Sequence, residues 1–247
     1  MIRSTVDSLN QSDKVDSIES LAGIVILAGG NSRRMGTPKA GLTLPNNERL
    51  LDYHVRQALK LSGSDLGVSS IDIPIMIADN ERDFTVDAAL LSRRTSICHI
   101  ADYNSLSMAS DSKTEGPLVA IESALQTLAK TKKAENADSS WLIVISCDSL
   151  ISAYDLWQVL EPHTAAEAND KSVICLTDES HLYPLLGLYN LSIEPQLRAY
   201  IDSGKREVMG FIKPMTEAVA VAKQWQPLTN MNTPDDFKRA CNALTDL

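Results

Sequence analysis

The chain has 247 residues, with 23 Lys and Arg against 32 Asp and Glu, giving a formal net charge of −9 and a pI near 4.9. That acidic balance argues against a protein that grips nucleic acid or an anionic membrane surface, because both partners demand a basic footprint. With 44% hydrophobic and 22% charged residues and a mean hydropathy of −0.10, the composition is that of a soluble globular protein long enough to bury a substantial core.

Met1 to Ser20 are mostly polar, with Asp7, Asp13, Asp16 and Glu19 and no apolar block. Residues 1–22 therefore read as a flexible, solvated tail ahead of one domain over 23–247, and match neither a signal nor a transit peptide. Ile24 to Ala28 is a short β-branched run, the pattern of a strand covered on both faces. Leu50 to Leu61 carries Leu51, Val55, Ala58 and Leu59 at helical spacing. Ile73 to Ala78 is the next strand, with Pro74 marking an edge or a strand start. Phe84 to Leu91 reads as a helix and Thr95 to Ile100 as a third strand.

Ala101 to Glu115 is polar, Ser-rich and without periodicity, so it reads as a loop. Pro117 suits a first helical turn, and Leu118, Ile121, Leu125 and Leu128 continue that helix. Trp141 to Ser146 is a further buried strand; Val173 to Thr177 and Leu185 to Tyr189 follow, and Pro195 to Asp202, Val208 to Ile212 and Pro234 to Leu244 read as helices. Strands alternating with helices predict a three-layer α/β/α sandwich around a mostly parallel, Rossmann-like sheet. The longest apolar runs are far shorter than the ~20 residues a bilayer span needs. Cys98, Cys147, Cys175 and Cys241 form no zinc spacing and suggest buried, reduced thiols of a cytoplasmic protein.

In an open α/β sheet, ligands sit beyond the carboxyl ends of the strands, so the first βα loop is where chemistry is sought. It reads Leu27-Ala28-Gly29-Gly30-Asn31-Ser32-Arg33-Arg34-Met35-Gly36-Thr37-Pro38-Lys39. Tandem glycines admit a ligand close to the backbone, and Arg33, Arg34 and Lys39 add cations beside them, a pattern suited to a polyphosphate. Glycine needed for positive φ accounts for Gly29 and Gly30 but leaves the cations unexplained. The loop is neither a Walker A sequence nor the GxGxxG fingerprint. Asp148, in Cys147-Asp148-Ser149-Leu150, ends another buried strand at the same edge, where it serves either as an oxygen ligand for Mg²⁺ or as the cap of the next helix.

LAGGNSRRMGTPKAGL resembles the LAGGxSxRMGxxK loop of the molybdenum cofactor guanylyltransferase (MobA) family of nucleotidyltransferases, and the likeness runs from Gly23 to about Ala240. The resemblance implies the nucleotide-diphospho-sugar transferase type of sandwich. It implies transfer of GMP from GTP to Mo-molybdopterin, with pyrophosphate released and a guanine dinucleotide cofactor formed, possible onward partners being apo-molybdoenzymes and their chaperones. By the same resemblance the loop wraps the triphosphate, Arg34 and Lys39 meet phosphates, the backbone at Leu27, Ala28, Gly29 and Gly30 meets the nucleotide, and Asp148 binds Mg²⁺. Gly29, where related cytidylyltransferases usually carry Ala, favours GTP over CTP. Asp102 corresponds to an acidic residue that reads guanine; as a bare sequence it is equally a solvated loop residue.

Three positions depart from the family pattern: Ala78 stands where Asn is common, with Asn80 two residues on; Ala120 replaces the second glycine of GPLAGI; and Leu150 replaces Pro. The stretch from Tyr183 through Ile193-Glu194-Pro195 to Gly204-Lys205-Arg206-Glu207-Val208-Met209 is similar to one peculiar to the guanylyltransferases. The resemblance assigns Lys205 and Arg206 to an acceptor phosphate, although alone they read as cations at a helix end. Asn230-Met231-Asn232-Thr233-Pro234 resembles NxNTP, which puts Asn230 and Asn232 at the pterin and metal end; alone, Asn232 or Thr233 reads as an N-cap before Pro234. On this reading Arg33, Arg34, Lys39, Lys205 and Arg206 converge on one cleft. The alternatives on the same fold are cytidylyl or sugar-phosphate transfer, or a GTP-binding homologue with impaired catalysis.

Overall fold

The computed structural model describes residues 20–30, 34–62, 72–91, 96–104, 116–130, 137–165 and 171–245. Of the segment expected as a polar tail, residues 1–19 lie outside the described residues, as do Asn31, Ser32 and Arg33, whereas Leu21 and Ala22 are buried, because the first strand begins two residues before the expected domain start. The strands are β1 Leu21–Leu27, β2 Ile75–Ala78, β3 Ile97–His99, β4 Trp141–Ser146, β5 Val173–Thr177, β6 Leu182–Asn190 and β7 Thr216–Ala220. The helices are α1 Leu50–Leu59, α2 Ala88–Leu91, α3 Pro117–Leu128, α4 Ala153–Leu160, α5 Glu194–Asp202, α6 Val208–Ile212 and α7 Pro234–Thr245.

The strands form one sheet in the order β3-β2-β1-β4-β6-β5-β7. Neighbours pair in parallel except at β6, which runs against both β4 and β5. The continuous apolar runs of β1 and β4 arise because a parallel strand is buried on both faces. Ile24, Ile26, Ile143 and Ile145 pack towards α1, α4 and α7, while Val25, Leu142 and Val144 pack towards α3, α5 and α6. The result is the predicted three-layer sandwich. No described helix is long and apolar enough to cross a membrane, and all four cysteines are free thiols.

Several boundaries differ from the sequence expectation, each for a local reason. Helix α4 has no counterpart in that expectation, although Ser152 caps it by accepting from the Asp155 N–H at 3.0 Å, a Ser-x-x-Asp start followed by buried Leu156, Trp157 and Leu160. Strand β7 was likewise not expected; it is a sheet edge with alternate residues exposed, so its apolar signal is weak. The expected helix over Phe84 to Leu91 shrinks to Ala88–Leu91, preceded by left-handed backbone at Asn80, Glu81 and Asp83. Pro74 precedes β2, which is an interior strand, so it marks a strand start and not an edge.

The fold sets where ligands go. From β1 the chain proceeds outward to β2 and β3, then returns to place β4 on the other side of β1. Loops leaving the carboxyl ends of β1 and β4 therefore diverge and open a crevice at this switch point. Register puts Leu27 level with both Ala78 and Ser146, so the glycine loop and Asp148 leave the sheet at one height.

Candidate active site

A cavity of about 380 Å³ lies at that crevice. In sheet order, Asp102, Asn80 and Ala78 at the ends of β3 and β2 line one side, Leu27, Gly29 and Gly30 of the glycine loop the middle, and Ser146, Asp148 and Leu185 of β4 and β6 the other side, with Gly116, Pro117 and Ala120 at the start of α3 completing the lining. Five predicted residues, Leu27, Gly29, Gly30, Asp102 and Asp148, thus line one space. Ala28 is buried beneath them, its N–H bonded to the Ala78 carbonyl at 2.8 Å. Ala120, which stands where the resemblance has glycine, carries its methyl in the cavity wall. Sequence reasoning did not single out Ser146 as a lining residue, although its place at the end of β4 beside Asp148 was a signal.

The tandem glycines are not there for positive φ, contrary to the sequence expectation; among described glycines that conformation belongs to Gly36, Gly116 and Gly204. Gly29 is needed for close approach: a Cβ there would lie 2.9 Å from the Asn80 Cβ and 3.2 Å from its amide nitrogen. Gly30 meets nothing within 4 Å, so its smallness leaves room on the ligand side. Gly29→Ala is therefore expected to destabilise the protein by about 1–3 kcal/mol through overpacking, while Gly30→Ala leaves stability unchanged. Thermal unfolding of the two variants side by side checks this, and equal melting temperatures would contradict it.

At the opposite end, Lys39 sits on a 3₁₀ turn, Lys39–Gly41, after Pro38. Its Nζ donates to Asn232 Oδ1 at 3.1 Å and lies 3.9 Å from Asp148 Oδ2. Asn232 Nδ2 in turn donates to Asn230 Oδ1 at 2.8 Å. Residues separated by almost the whole chain thereby form one polar cluster. The capping alternatives resolve: Ser152 caps α4, leaving the Asp148 carboxylate facing Lys39. Thr233 Oγ1 accepts from the Asp236 N–H at 3.2 Å, and Asp236 Oδ2 accepts from the N–H groups of Asn232 and Thr233. Thr233 is the cap, and the Asn232 amide is directed at Lys39. Burial holds the Lys39 pKa below its usual value, opposed by Asp148 and assisted by Arg34.

The Asp148 loop is held from beneath by contacts that sequence reasoning did not find. The Asp148 carbonyl accepts from the Met231 N–H at 2.6 Å, the Ser149 carbonyl from His54 Nε2 at 3.0 Å, and the Leu150 carbonyl from the Tyr53 hydroxyl at 2.9 Å. A carbonyl only accepts, so Nε2 carries the His54 proton; burial keeps this ring neutral, with its pKa lowered to about 4. His54 is a core histidine that fixes the loop. Leu150 donates its N–H to the Leu228 carbonyl at 2.9 Å, a bond that proline there would remove. The departure from the family pattern at this position thus ties residues 228–231 to the Asp148 loop.

Asp102 is half-buried, and burial, with Glu81 and Asp79 adding like charge, pushes its pKa up to about 6. The proposed convergence of five cations is only partly realised. Arg33 lies outside the described residues, and Arg34 is exposed but near enough to influence Lys39. Lys205 and Arg206 are not among the cavity's lining residues. Arg206 Nη1 donates to the carbonyls of Ile201 at 2.6 Å and Lys205 at 2.7 Å, and Lys205 Nζ lies 5.3 Å from the Tyr200 ring centroid. The Arg206 contacts are those of a cation at a helix C-terminus, where carbonyls attract positive charge.

Comparisons with known proteins agree with this geometry. A model of the MobA-like NTP transferase domain matches residues 24–219. The molybdenum cofactor guanylyltransferase of Vibrio atlanticus is 27% identical over 214 residues, covering 86% of this chain and 92% of that protein. The enzyme of the same name from Haemophilus influenzae is 25% identical over 217 residues, covering 87% and 95%. Among solved structures, molybdopterin-guanine dinucleotide biosynthesis protein A from Archaeoglobus fulgidus superposes with a TM-score of 0.60 at 18% identity, over 91% of this chain and all of that one. The 2-C-methyl-D-erythritol 4-phosphate cytidylyltransferase of Francisella tularensis gives 0.52 at 14% identity, over 89% and 98%. These two structures speak for the sandwich alone. The family match, spanning most of the chain and including the glycine loop and the β4 carboxylate, makes this chain a member of the MobA-like NTP transferase domain family.

Proposed function

We propose that the protein transfers GMP from GTP to Mo-molybdopterin, releasing pyrophosphate and forming the guanine dinucleotide cofactor. The observation that carries this reading is the polarity of the cleft: Asp102 and Asn80 line the cavity after β3 and β2, Asp148 lines it after β4 with glycine backbone between, and Asp148 links the cavity to the Lys39, Asn232 and Asn230 cluster beside it. A base, a triphosphate and an acceptor can be laid along it in that order. The nucleophile is the acceptor's terminal phosphate, already an anion, so no Ser, Cys or His is required to activate it. One of its oxygens forms a bond to the α-phosphorus as the bond to the bridging oxygen breaks, and pyrophosphate leaves with that electron pair.

The work of the protein is then alignment and charge neutralisation. Lys39 supplies positive charge, held in place by Asn232, and Arg34 extends the positive field outward. Asn230 and Asn232 offer amide groups to the acceptor side. Asp148 is the residue to hold Mg²⁺: a carboxylate one-third exposed at the end of β4 and lining the cavity fits a cation that keeps water and takes its other oxygens from substrate phosphates. When bound, Mg²⁺ offsets phosphate charge.

The test is a product assay with Mo-molybdopterin and Mg²⁺, supplied with GTP or CTP in parallel, run beside Asp148→Ala. Guanine dinucleotide and pyrophosphate are expected from GTP and wild type only. Product from CTP alone would transfer the reading to a cytidylyltransferase, and tight GTP binding without pyrophosphate release would reduce the protein to a nucleotide-binding module.

A further inference from the structure

We propose that Tyr53 and His54, adjacent on α1, are positioning residues for the β4 carboxylate: by holding the backbone beneath Asp148 they fix where it stands relative to Lys39 and to the cavity. The inference rests on the reading above, in which Asp148 holds Mg²⁺, and adds to it the residues that hold Asp148.

Asp148 lies between β4, which ends at Ser146, and α4, which begins at Ala153, so neither a sheet ladder nor a helix sets its orientation. Donors from other segments do so instead. The successive carbonyls of Asp148, Ser149 and Leu150 accept from the Met231 N–H at 2.6 Å, His54 Nε2 at 3.0 Å and the Tyr53 hydroxyl at 2.9 Å. Two of these three donors are consecutive residues of one helix, and both are buried. The Ser149 hydroxyl completes the grip, donating to the Leu228 carbonyl at 2.8 Å and accepting from the Ile151 N–H at 3.0 Å. The Asp148 side chain is left lining the cavity, one-third exposed.

The same helix is tied to Lys39. The Lys39 carbonyl accepts from the Leu42 N–H at 3.0 Å, and the Leu42 carbonyl accepts at 2.8 Å from the N–H of Leu50, where α1 begins; Thr43 and Arg49 pair across the intervening turn. A ring of contacts therefore runs from Lys39 through Leu42, Leu50 and His54 to Ser149, and returns through Asp148 to Lys39, closing at 3.9 Å between the charged side chains. Leu50 and His54 are one helical turn apart, a spacing of fixed dimensions. An ion pair this long, with one partner partly exposed, is worth little by itself, so α1 sets the separation of cation and carboxylate. His54 is also retained at a cost. Its Nδ1 is buried with no hydrogen-bond partner among the described residues, and such an orphan is destabilising. An apolar side chain would fill the space without that orphan; what it could not supply is the Nε2–H to Ser149.

Titration calorimetry with the full chain tests the inference. GTP is titrated in Mg²⁺ and again in EDTA, and the ratio of the two affinities measures what the metal adds. Asp148→Ala is expected to abolish that gain. His54→Leu, which keeps bulk and removes the donor, is expected to cut the gain about tenfold, the scale for losing a group that orients a metal ligand, while affinity in EDTA stays at the wild-type value. His54→Gln, whose amide can donate in place of Nε2–H, is expected to restore most of the gain. Tyr53→Phe removes a single oxygen and is expected to lower the gain in the same direction, so the test stands even where His54→Leu does not fold. Equal losses in Mg²⁺ and in EDTA would make the two residues general supports of the fold, and an undiminished gain would separate them from Asp148. Either result, with the gain lost in Asp148→Ala, overturns this inference alone. A gain that survives Asp148→Ala fails differently, because it overturns the metal role in the reading above and this inference together.

Discussion

Replacing Lys39 by alanine is expected to lower kcat/KM about 10²-fold, the scale for losing one preorganised electrostatic contact to a reacting phosphate, with no loss of folded-state stability. The two halves of that expectation have separate causes. For catalysis, Lys39 is the cation that the described cavity end places against Asp148 and Asn232, and its side chain is only 14% exposed, so its field is poorly screened. For stability, the empty protein bears a desolvation penalty at this ammonium, visible as a lowered pKa with burial as the largest cause. Sign follows from linkage: the folded state holds this proton less tightly than the unfolded chain, so charged Lys39 costs stability and its removal relieves that cost. Lys39→Met, which keeps the stem and drops the charge, should behave like alanine. Steady-state pyrophosphate release and thermal unfolding, measured on the same preparations, check both halves. Unchanged turnover would dissociate the glycine loop from the chemistry, and a falling melting temperature would make the residue structural.

That cluster also shows what the sequence could and could not say. β1 and β4 were legible because a strand buried on both faces is written as an unbroken β-branched run, and those two strands set the switch point. Once they were fixed, the loops after them were the place to look, and Leu27, Gly29, Gly30 and Asp148 were found there. Lys39 and Asn232, 193 positions apart, were each placed by the resemblance but not paired with one another; no local pattern encodes a contact across that separation. Lys205 and Arg206 are assigned to an acceptor only through the resemblance; their own sequence reads as helix-end cations, and Arg206 does donate to the Ile201 carbonyl at the end of α5. Asn80 was noted only as standing two residues past Ala78; the left-handed run that carries it is set by Asp79, Arg82 and the missing Gly29 side chain, through contacts that reach His99 and the glycine loop. Propensity arguments see one segment at a time. The same blindness hid the grip of Tyr53 and His54 on the Asp148 loop, since α1 announced itself only as an amphipathic helix.

Asp102 gives the second large effect, and it carries a pH signature. With a pKa near 6, raised first by burial and then by Glu81 and Asp79, its carboxyl is mostly ionised at neutral pH and protonated under mild acid. The protonated form cannot accept from both N1–H and the 2-amino group of guanine. The kcat/KM for GTP should therefore fall tenfold per pH unit below about 6, while kcat, which reports the bound complex, holds to lower pH because guanine's donors favour the ionised carboxylate. Asp102→Asn is expected to lose about 10²-fold in kcat/KM for GTP, since hydrogen bonds to a charged acceptor are the strong ones, and to flatten this limb of the profile. Stability moves the other way. The folded carboxyl binds its proton more tightly than the unfolded chain does, so stability falls as pH rises from about 4 to about 6 and the full penalty stands at pH 7. Because the group is only half-buried, screening reduces that penalty to ~1 kcal/mol, and Asp102→Asn should raise the melting temperature by about 2–4 °C. A residue that costs the empty protein stability and supports nucleotide choice is what a recognition site requires. An unshifted melting temperature together with unchanged preference for GTP over inosine triphosphate would return Asp102 to an ordinary loop position.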